Sequence, residues 1–404
     1  MDQLFMDLEK LTSISEQEDY LHIASENGDK IIRTGIFTNI IKEAIIGATP
    51  SYYARGSLFT PAKTTITIHA DTQVNINGKG YSNAADVVLN TSEVAQAGKD
   101  VYIYACVPES GNEPEFVLSR NSTVPDGYDA DNSRKIGGFH CLCADVGIIS
   151  GHPLSGYVAG DILPASVWDL KHRPVSEPEG MVYVEGLGKW YDIYLASWDG
   201  AKLVSAYGGT IADGASARKY HGLKFNEDFG RIGKHLPSWD EFMVFAKGSN
   251  EQTSISGAAD PGTTGGHRDT AGRRMISNDG LEDCCGALWQ WMHDSFDVTS
   301  TNSNAAYTAG NRYINHNVFA STEKDSLGNA QANTNWHIEP VYEPNVDERS
   351  YGWAYNALLV RLLAGGHWGD ASLCGSRSAT ACHFGAHVNA SIGGRGASEP
   401  RAAA

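Results

Sequence analysis

Residues 365–396 read GGHWGDASLCGSRSATACHFGAHVNASIGGRG, a frame of glycine and small residues that alternates with positions of unrelated chemistry. From Gly369 to Ser398 there is no Lys, Glu, Gln, Met or Trp, although the rest of the chain uses all five. Random replacement of the adenines in Asn codons produces the same exclusion, because the third base stays a pyrimidine. The tract therefore fits either diversified side chains on a fixed scaffold or a Gly/Ala/Ser-rich terminal loop.

Composition limits the class of protein and the class of partner. The chain has 404 residues, of which 41% are hydrophobic and 10% aromatic, enough for two or three domains with packed cores. Its 48 acidic and 31 basic residues give a net charge of -17, which repels a phosphate backbone. We therefore expect no nucleic-acid binding, and we predict protein or sugar partners.

Sequence features also bear on where the chain folds. Residues 1–20 are acidic and lack the basic and apolar regions of a secretory signal, and no apolar run reaches membrane-spanning length. The seven cysteines are an odd, scattered set, which argues against a disulfide framework. We expect synthesis in a cytoplasm without a signal peptide and no membrane insertion, which leaves open where the protein works.

Two β-rich modules are predicted in the first part of the chain. Within residues 1–50, two strand-like runs flank a Glu26–Asp29 turn and predict a hairpin. Within residues 51–150, TTITIHADTQVNI (64–76) alternates polar with apolar residues, and further short strand-like runs follow. We interpret residues 51–150 as a sandwich-like domain with a structural or oligomerisation role.

Residues 151–404 contain all nine tryptophans and predict one large mixed domain, so the fold class is α+β. Ser238 followed by Glu241 forms a capping-box pattern and predicts a helix in LPSWDEFMVFAKG (236–248). A second helix is predicted in DGLEDCCGALWQWMHD (279–294), followed by a polar insertion or surface loop between Phe296 and Asn335.

Four motifs in this part resemble, in order and spacing, the C-type-lectin-type domain of formylglycine-generating enzymes and of the variable proteins of diversity-generating retroelements. The last motif is closer to the retroelement branch, above all to the phage tropism determinants, in its GG-x-W opening, GSR centre and G-x-RG close. The resemblance covers most of residues 180–404, and the first 150 residues match only in kind, as β modules before a lectin-type domain. The motifs are GRIGKHLPSWDEFMVFAKGS (230–249), NDGLEDCCGALWQWMHD (278–294), LLAGGHWGDASLCGSRSA (362–379) and SIGGRG (391–396).

The resemblance implies a frame and a set of variable positions within about 365–396. Glycines suit bends where a Cβ would clash or φ is positive, Trp368 supplies buried area, and arginine donors can tie loop carbonyls together. The implied frame residues are Gly365, Gly366, Trp368, Arg377, Gly393 and Arg395, with Gly375, Gly394 and Gly396 as further glycines of the bends. The implied outward-facing variable positions are His367, Gly369, Ala371, Leu373, Thr380, Cys382, His383, His387, Asn389 and Ser391, with Asp370 and Ile392 as looser candidates.

The function implied is recognition of a host cell-surface receptor, a protein or a glycan, at the tip of a phage tail fibre. The same resemblance implies a homotrimer whose several copies raise the effective concentration, attached to tail-fibre or baseplate proteins through the N-terminal module. We therefore expect a virion protein, or alternatively a bacterial surface protein. Neither catalysis nor a cofactor is expected.

Three other functions share sequence features with this one. An oxidase of the formylglycine-generating type would need a close reactive cysteine pair, whereas Cys374 and Cys382 lie eight positions apart and Cys382 is a predicted variable position. Cys284 and Cys285 are expected on the apolar side of the second helix as buried, inert thiols.

A calcium-dependent lectin is suggested by Glu343-Pro344-Asn345 and by Trp368-Gly369-Asp370, although the second triplet lacks the Asn that would supply an oxygen ligand. The spacing of His383 and His387 resembles that of zinc-binding helices, but the surrounding residues form a poor helix without the Glu of a metalloprotease. We interpret His367, His383 and His387 as contact residues and predict no metal site.

Overall fold

The computed structural model describes residues 20–23, 30–33, 58–296, 330–331, 353–354 and 360–401. The Glu26–Asp29 turn, the Glu343-Pro344-Asn345 triplet and most of the polar stretch 296–335 lie outside these ranges. Near the N-terminus, β1 (Tyr20–Ile23) pairs in antiparallel fashion with β2 (Lys30–Arg33), which confirms the two strands of the predicted hairpin.

Residues 58–170 form short antiparallel strands, as the period-two pattern predicts. In β4 (Thr65–Ile68) the apolar side chains Ile66 and Ile68 are fully buried, while the two threonines that alternate with them are half-buried. The strands up to residue 140 are β3 (Phe59–Pro61), β4 (Thr65–Ile68), β5 (Gln73–Ile76), β6 (Lys79–Ser82), β7 (Val87–Asn90), β8 (Asp100–Cys106), β9 (Glu115–Ser119) and β10 (Ser133–His140).

These strands belong to separate sheets that share one apolar core. One sheet has the order β3-β4-β7, β5 pairs with β6, and a four-stranded sheet has the order β9-β8-β10-β11, where β11 is Trp168–Asp169. Side chains from both larger sheets meet in one cluster that includes Ile66, Ile103 and Phe139. A 3-10 turn at Pro164–Ser166 leads into β11.

The middle of the chain contains four short strands and both α-helices of the described ranges. The strands are β12 (Met181–Val184), β13 (Lys189–Asp192), β14 (Ser197–Trp198) and β15 (Leu203–Val204), and the helices are α1 (Gly222–Gly230) and α2 (Trp239–Phe245). No helix in these ranges is long and apolar enough to cross a membrane. The described part of the structure is therefore mostly β, and α1 is a helix that the sequence analysis did not predict.

Helix α2 begins as its sequence predicts. The Ser238 side chain accepts a hydrogen bond from the backbone N–H of Glu241, and the Glu241 carboxylate accepts one from the backbone N–H of Ser238. This reciprocal cap satisfies two donors that a helix leaves free at its first turn. Phe242 and Phe245 then face the core.

The predicted second helix is wrong. Residues 279–288 form an irregular turn with isolated bridges at Glu282 and Ala287, and Trp289–Phe296 forms strand β16. Asp283 and Gly286 have φ values of 55° and 75°, a left-handed conformation that interrupts an α-helix. Trp291 and Met292 are consecutive and fully buried, so the run covers both faces of a central strand, a pattern easily mistaken for a buried helix. Cys284 and Cys285 are buried as expected, but in this turn.

The C-terminal residues complete two sheets around β16 and β13. The remaining strands are β17 (Ala330–Gln331), β18 (Trp353–Ala354), β19 (Val360–Gly365), β20 (Gly375–His383), β21 (Ile392–Gly393) and β22 (Ala397–Ser398). One sheet has the order β20-β19-β16-β21 and the other has the order β12-β13-β22. The end of the chain thus contributes strands to both sheets.

A buried hydrogen-bond chain joins the β-rich part to the large domain. The Nδ1 atom of His140 lies 2.9 Å from a carboxylate oxygen of Asp100, and its Nε2 atom lies 2.9 Å from the hydroxyl of Tyr194. Burial raises the pKa of Tyr194 well above its ordinary value, so the hydroxyl stays protonated. The contact thus fixes strands β8 and β10 against the residues that follow β13.

We predict that Tyr194→Phe lowers the free energy of unfolding by about 1–3 kcal/mol, because it leaves a buried histidine nitrogen without a partner. Urea denaturation measures this change. Tyr207→Phe is the matched control: its ring is 39% exposed and lies beside Tyr194, so we expect a change within about 0.5 kcal/mol. Equal losses in the two variants would contradict the role of the hydroxyl.

Candidate ligand-binding surface

The terminal tract is tied to the domain by a fully buried arginine. One guanidinium nitrogen of Arg395 donates to the backbone carbonyls of Asp192 and Ile193, each at 2.6 Å, and another to the carbonyl of Glu282. Its Nε donates to the side-chain oxygen of Gln290 at 3.2 Å. Four acceptors from three segments thus converge on one side chain, which satisfies polar groups that would otherwise be buried unpaired.

Other predicted frame residues are also buried or packed. Arg377 is 1% exposed, and Trp368 packs half-buried against an apolar cluster that includes Leu195 and Leu288. Gly365 and Gly366 have φ values of 95° and 83°, and a Cβ on Gly366 would lie 2.8 Å from the sulfur of Cys374. Gly393 is buried in β21, opposite Gln290 of β16.

The first loop of the tract, residues 366–374, presents four of the predicted variable positions. The ring Nδ1 of His367 lies 2.7 Å from a carboxylate oxygen of Asp370, which also accepts the backbone N–H of His367 at 2.8 Å. This pairing closes a turn that continues into a 3-10 turn at Ala371–Leu373. Gly369, Ala371 and Leu373 are exposed on its outer side.

The second loop, residues 384–391, carries two stacked imidazoles at its start. The rings of His383 and His387 are parallel, with centroids 3.9 Å apart. Burial, followed by the proximity of His387, lowers the pKa of His383, so that ring is neutral at neutral pH. Asn389 is exposed, and its side-chain oxygen accepts hydrogen bonds from the N–H and hydroxyl of half-buried Ser391.

Backbone contacts from outside the tract hold this second loop. The N–H of Leu223 in α1 donates to the carbonyl of Gly385 at 3.1 Å, and the N–H of Gly214 donates to the carbonyl of Asn389 at 3.1 Å. A Cβ on Gly214 would lie 2.1 Å from the backbone nitrogen of Asn389. Because these contacts use main-chain groups of the loop, they do not depend on which side chains the loop carries.

Two of the predicted outward-facing positions are buried, which corrects their expected orientation. Thr380 is 3% exposed because it lies within β20, opposite Leu363 of the neighbouring strand. Ile392 is 1% exposed because it lies in β21, opposite Trp289, and packs into an apolar cluster. Neither side chain reaches the surface. The side chain of Cys382 lies outside the described part of the structure.

The cysteines whose side chains the structure describes are buried. Burial raises the pKa of Cys284 to about 12 and also raises the pKa of Cys285 and Cys374, so these thiols are poor nucleophiles at neutral pH. The Cys374 thiol donates to the backbone carbonyl of His367 at 3.3 Å. Among these residues the structure offers no reactive thiolate.

Metal-ligand chemistry has little support in the described residues. They hold no group of three or more His, Cys, Asp or Glu side chains arranged to bind a metal ion. His383 and His387 face each other, whereas His367 pairs with Asp370, whose carboxylate already serves two hydrogen-bonding partners. One of the two carboxylate oxygens of Asp370 is therefore engaged within its own turn.

Some surface residues beside the tract have no local sequence signal. Phe384 and Val388 are 59% and 44% exposed, lie between predicted variable positions and belong to none of the four motifs. Leu223 and Gly214 reach the loop from segments more than a hundred residues away. Only the tertiary fold brings them together.

Comparison with known proteins identifies the family. Residues 57–169 match the family described as the Mtd second domain. Over 296 residues the chain is 32% identical to the tail fiber receptor-binding protein of Bordetella phage BPP-1, across 67% of this chain and 73% of that relative. The chain belongs to this family of phage tropism determinants.

Solved structures of the tropism-determinant family extend the likeness to most of the chain. The Major Tropism Determinant P3c variant has a TM-score of 0.64 and 25% identity, covering 93% of this chain and 90% of its own. The I1 variant has a TM-score of 0.61 and 26% identity, covering 89% of this chain and 87% of its own. The mostly β architecture is thus that of the tropism determinants.

We predict that Gly214→Ala lowers the free energy of unfolding by about 1–3 kcal/mol, because the new Cβ must displace the backbone at Asn389. Hydrogen exchange of the amides of residues 385–392 should also become faster. Gly230→Ala is the control, since Gly230 lies in α1 with open space around a Cβ and should be neutral or stabilising by up to about 1 kcal/mol. If hydrogen exchange of these amides is unchanged in Gly214→Ala, the contact between Gly214 and Asn389 does not hold the second loop in place.

Proposed function

We propose that this protein is the receptor-binding protein of a phage tail fibre and that it displays a diversified surface on a C-type-lectin-like fold. The observation that carries the proposal is the exposed second loop, whose main chain is held from outside the tract, in a chain that belongs to the tropism-determinant family. A surface held in this way accepts new side chains without losing its shape. The partner is a receptor on the host cell, and no catalytic step is involved.

The proposed display positions exclude the two that are buried. They lie in or directly before the two loops, and their side chains differ in chemistry from one position to the next. This suits a surface whose residues change between variants to bind different receptors. The display set is His367, Gly369, Asp370, Ala371, Leu373, Cys382, His383, His387, Asn389 and Ser391. The frame set is Gly365, Gly366, Trp368, Arg377, Gly393 and Arg395.

We further propose the domain division that the sequence suggests and the assembly that the family implies. Residues 1–50 would attach the protein to tail-fibre or baseplate components, residues 51–150 would build the oligomer, and residues 151–404 would bind the receptor. A homotrimer would present several copies of the display surface, so that weak single-site binding becomes strong at the cell surface. This places the mature protein on the virion.

The two sets of residues should respond differently to substitution. We predict that His387→Ala changes binding to intact host cells but leaves the free energy of unfolding within about 0.5 kcal/mol. Arg395→Lys should lower that free energy by about 2–4 kcal/mol, because a lysine cannot reach all the carbonyls that the guanidinium bonds. Urea denaturation and cell-binding assays measure the two effects. Equal destabilisation by both substitutions would refute the division into display and frame.

Calcium should not be required for binding. Because the Asp370 carboxylate is bonded to His367, we predict that chelation of divalent cations leaves binding to host cells within about twofold of the untreated protein. The measurement is a cell-binding titration before and after treatment with EDTA. A loss of binding that added calcium restores would instead support a calcium-dependent lectin.

A further inference from the structure

Three large apolar side chains are exposed beside the second loop. Leu223, Phe384 and Val388 are 52%, 59% and 44% exposed, and none of them belongs to the proposed display set. We call these three residues the apolar anchor. Exposed apolar groups that lie together, rather than singly, are typical of surfaces that bind another molecule.

Backbone hydrogen bonds place the three members of the anchor near one another: the N–H of Leu223 donates to Gly385, and the N–H of His387 donates to Phe384. The side chain of Leu223 lies 3.5 Å from the place where a Cβ of Gly385 would be, directly after Phe384 in the chain. The ring of Phe384 meets His387 edge to face at 5.8 Å, and Val388 follows His387. The stacked imidazoles thus lie next to the anchor, and helix α1 forms its other side.

The position of Leu223 does not depend on the side chains of the terminal tract, because its hydrogen bond to the tract is made to the backbone carbonyl of Gly385. The Nδ1 atom of His221 caps helix α1 by accepting from the N–H of Lys224, and Phe225 and Phe229 bury the inner face of the helix. Leu223 is therefore on the opposite, outer side. It stays in place when the side chains of the loop change, which is the property required of a constant contact in a variable site.

The charges and polar groups around the anchor indicate which class of partner it can bind. The Lys224 ammonium lies 3.0 Å from both Glu227 and Asp228, so the charge nearest to Leu223 is already paired within the helix. The anchor itself has no polar side-chain atom to bond the hydroxyl groups of a sugar. The net charge of -17 further disfavours anionic polysaccharides, nucleic acids and anionic membrane surfaces.

We infer that Leu223, Phe384 and Val388 form a constant apolar anchor that buries an aliphatic or aromatic side chain projecting from a protein receptor, while the surrounding display positions decide which receptor is bound. This inference rests on the proposed function and specifies the chemistry of its partner. Buried apolar and aromatic contacts near the centre of an interface commonly supply most of its affinity. The anchor supplies that general affinity, and the display positions add specificity.

The test measures binding of the fluorescently labelled full-length protein to intact cells of the bacterium that the phage infects. The key variant is Leu223→Asp, which should not disturb the helix because an acidic residue is favourable in a first helical turn. Ile148→Asp is the matched control, since Ile148 is 88% exposed and lies in a different loop. Leu223→Met is the conservative variant, and circular dichroism with thermal unfolding verifies that each variant is folded.

We expect Leu223→Asp and Phe384→Ser each to weaken cell binding about tenfold or more, and Leu223→Met and Ile148→Asp to change it less than about twofold. Digestion of surface proteins with a protease should abolish binding, whereas periodate oxidation of glycans should not. Equal binding by Leu223→Asp and Ile148→Asp overturns the anchor. Binding that is sensitive to periodate but survives the protease overturns the protein receptor.

The same experiment separates failure of the anchor from failure of the function. If the wild-type protein binds cells and His387→Ala alters that binding while Leu223→Asp does not, the proposed function stands and the anchor is wrong. If the wild-type protein binds neither untreated nor protease-treated cells, the proposed function and the anchor both fail.

Discussion

The ligand-binding surface depends on the buried guanidinium of Arg395. Its donors reach backbone carbonyls of two segments, at Asp192–Ile193 and Glu282, and the side-chain oxygen of Gln290 in a third. The tract that it belongs to continues into β22 beside β13. Buried carbonyls without partners would be costly, so this contact decides where the end of the chain lies. Once that end is fixed, the positions of the two preceding loops on the surface of the domain are largely determined.

The second loop can keep its shape while its side chains vary, because main-chain atoms hold the loop and side-chain atoms face the partner. The second loop is held through the carbonyls of Gly385 and Asn389, which every residue type possesses, whereas its outward side chains take no part in those contacts. Each loop also has side-chain contacts within its own turn, through the His367–Asp370 pair in the first loop and the Asn389–Ser391 pair in the second. We therefore expect small local changes of shape from one variant of this protein to another, at the turns that these pairs close.

Local patterns in the sequence predicted the elements that local forces decide. The capping box of α2 and the period-two strand β4 follow from neighbouring residues, and both are present. The run around Cys284 was misassigned because a strand buried on both faces and a buried helix have similar apolar content. The burial of Thr380 and Ile392 depends on strand register, and the place of Leu223 depends on contacts across more than a hundred residues. Neither property can be obtained from the spacing of motifs.

The most direct test of the account compares two libraries of this protein by the fraction of members that resist proteolysis. One library randomises His367, Gly369, Ala371, Leu373, His383 and His387 together, and the other randomises Gly366, Arg377 and Arg395. If shape and recognition are carried by separate residues, most members of the first library remain folded and few members of the second do. Similar folded fractions in the two libraries would contradict that separation.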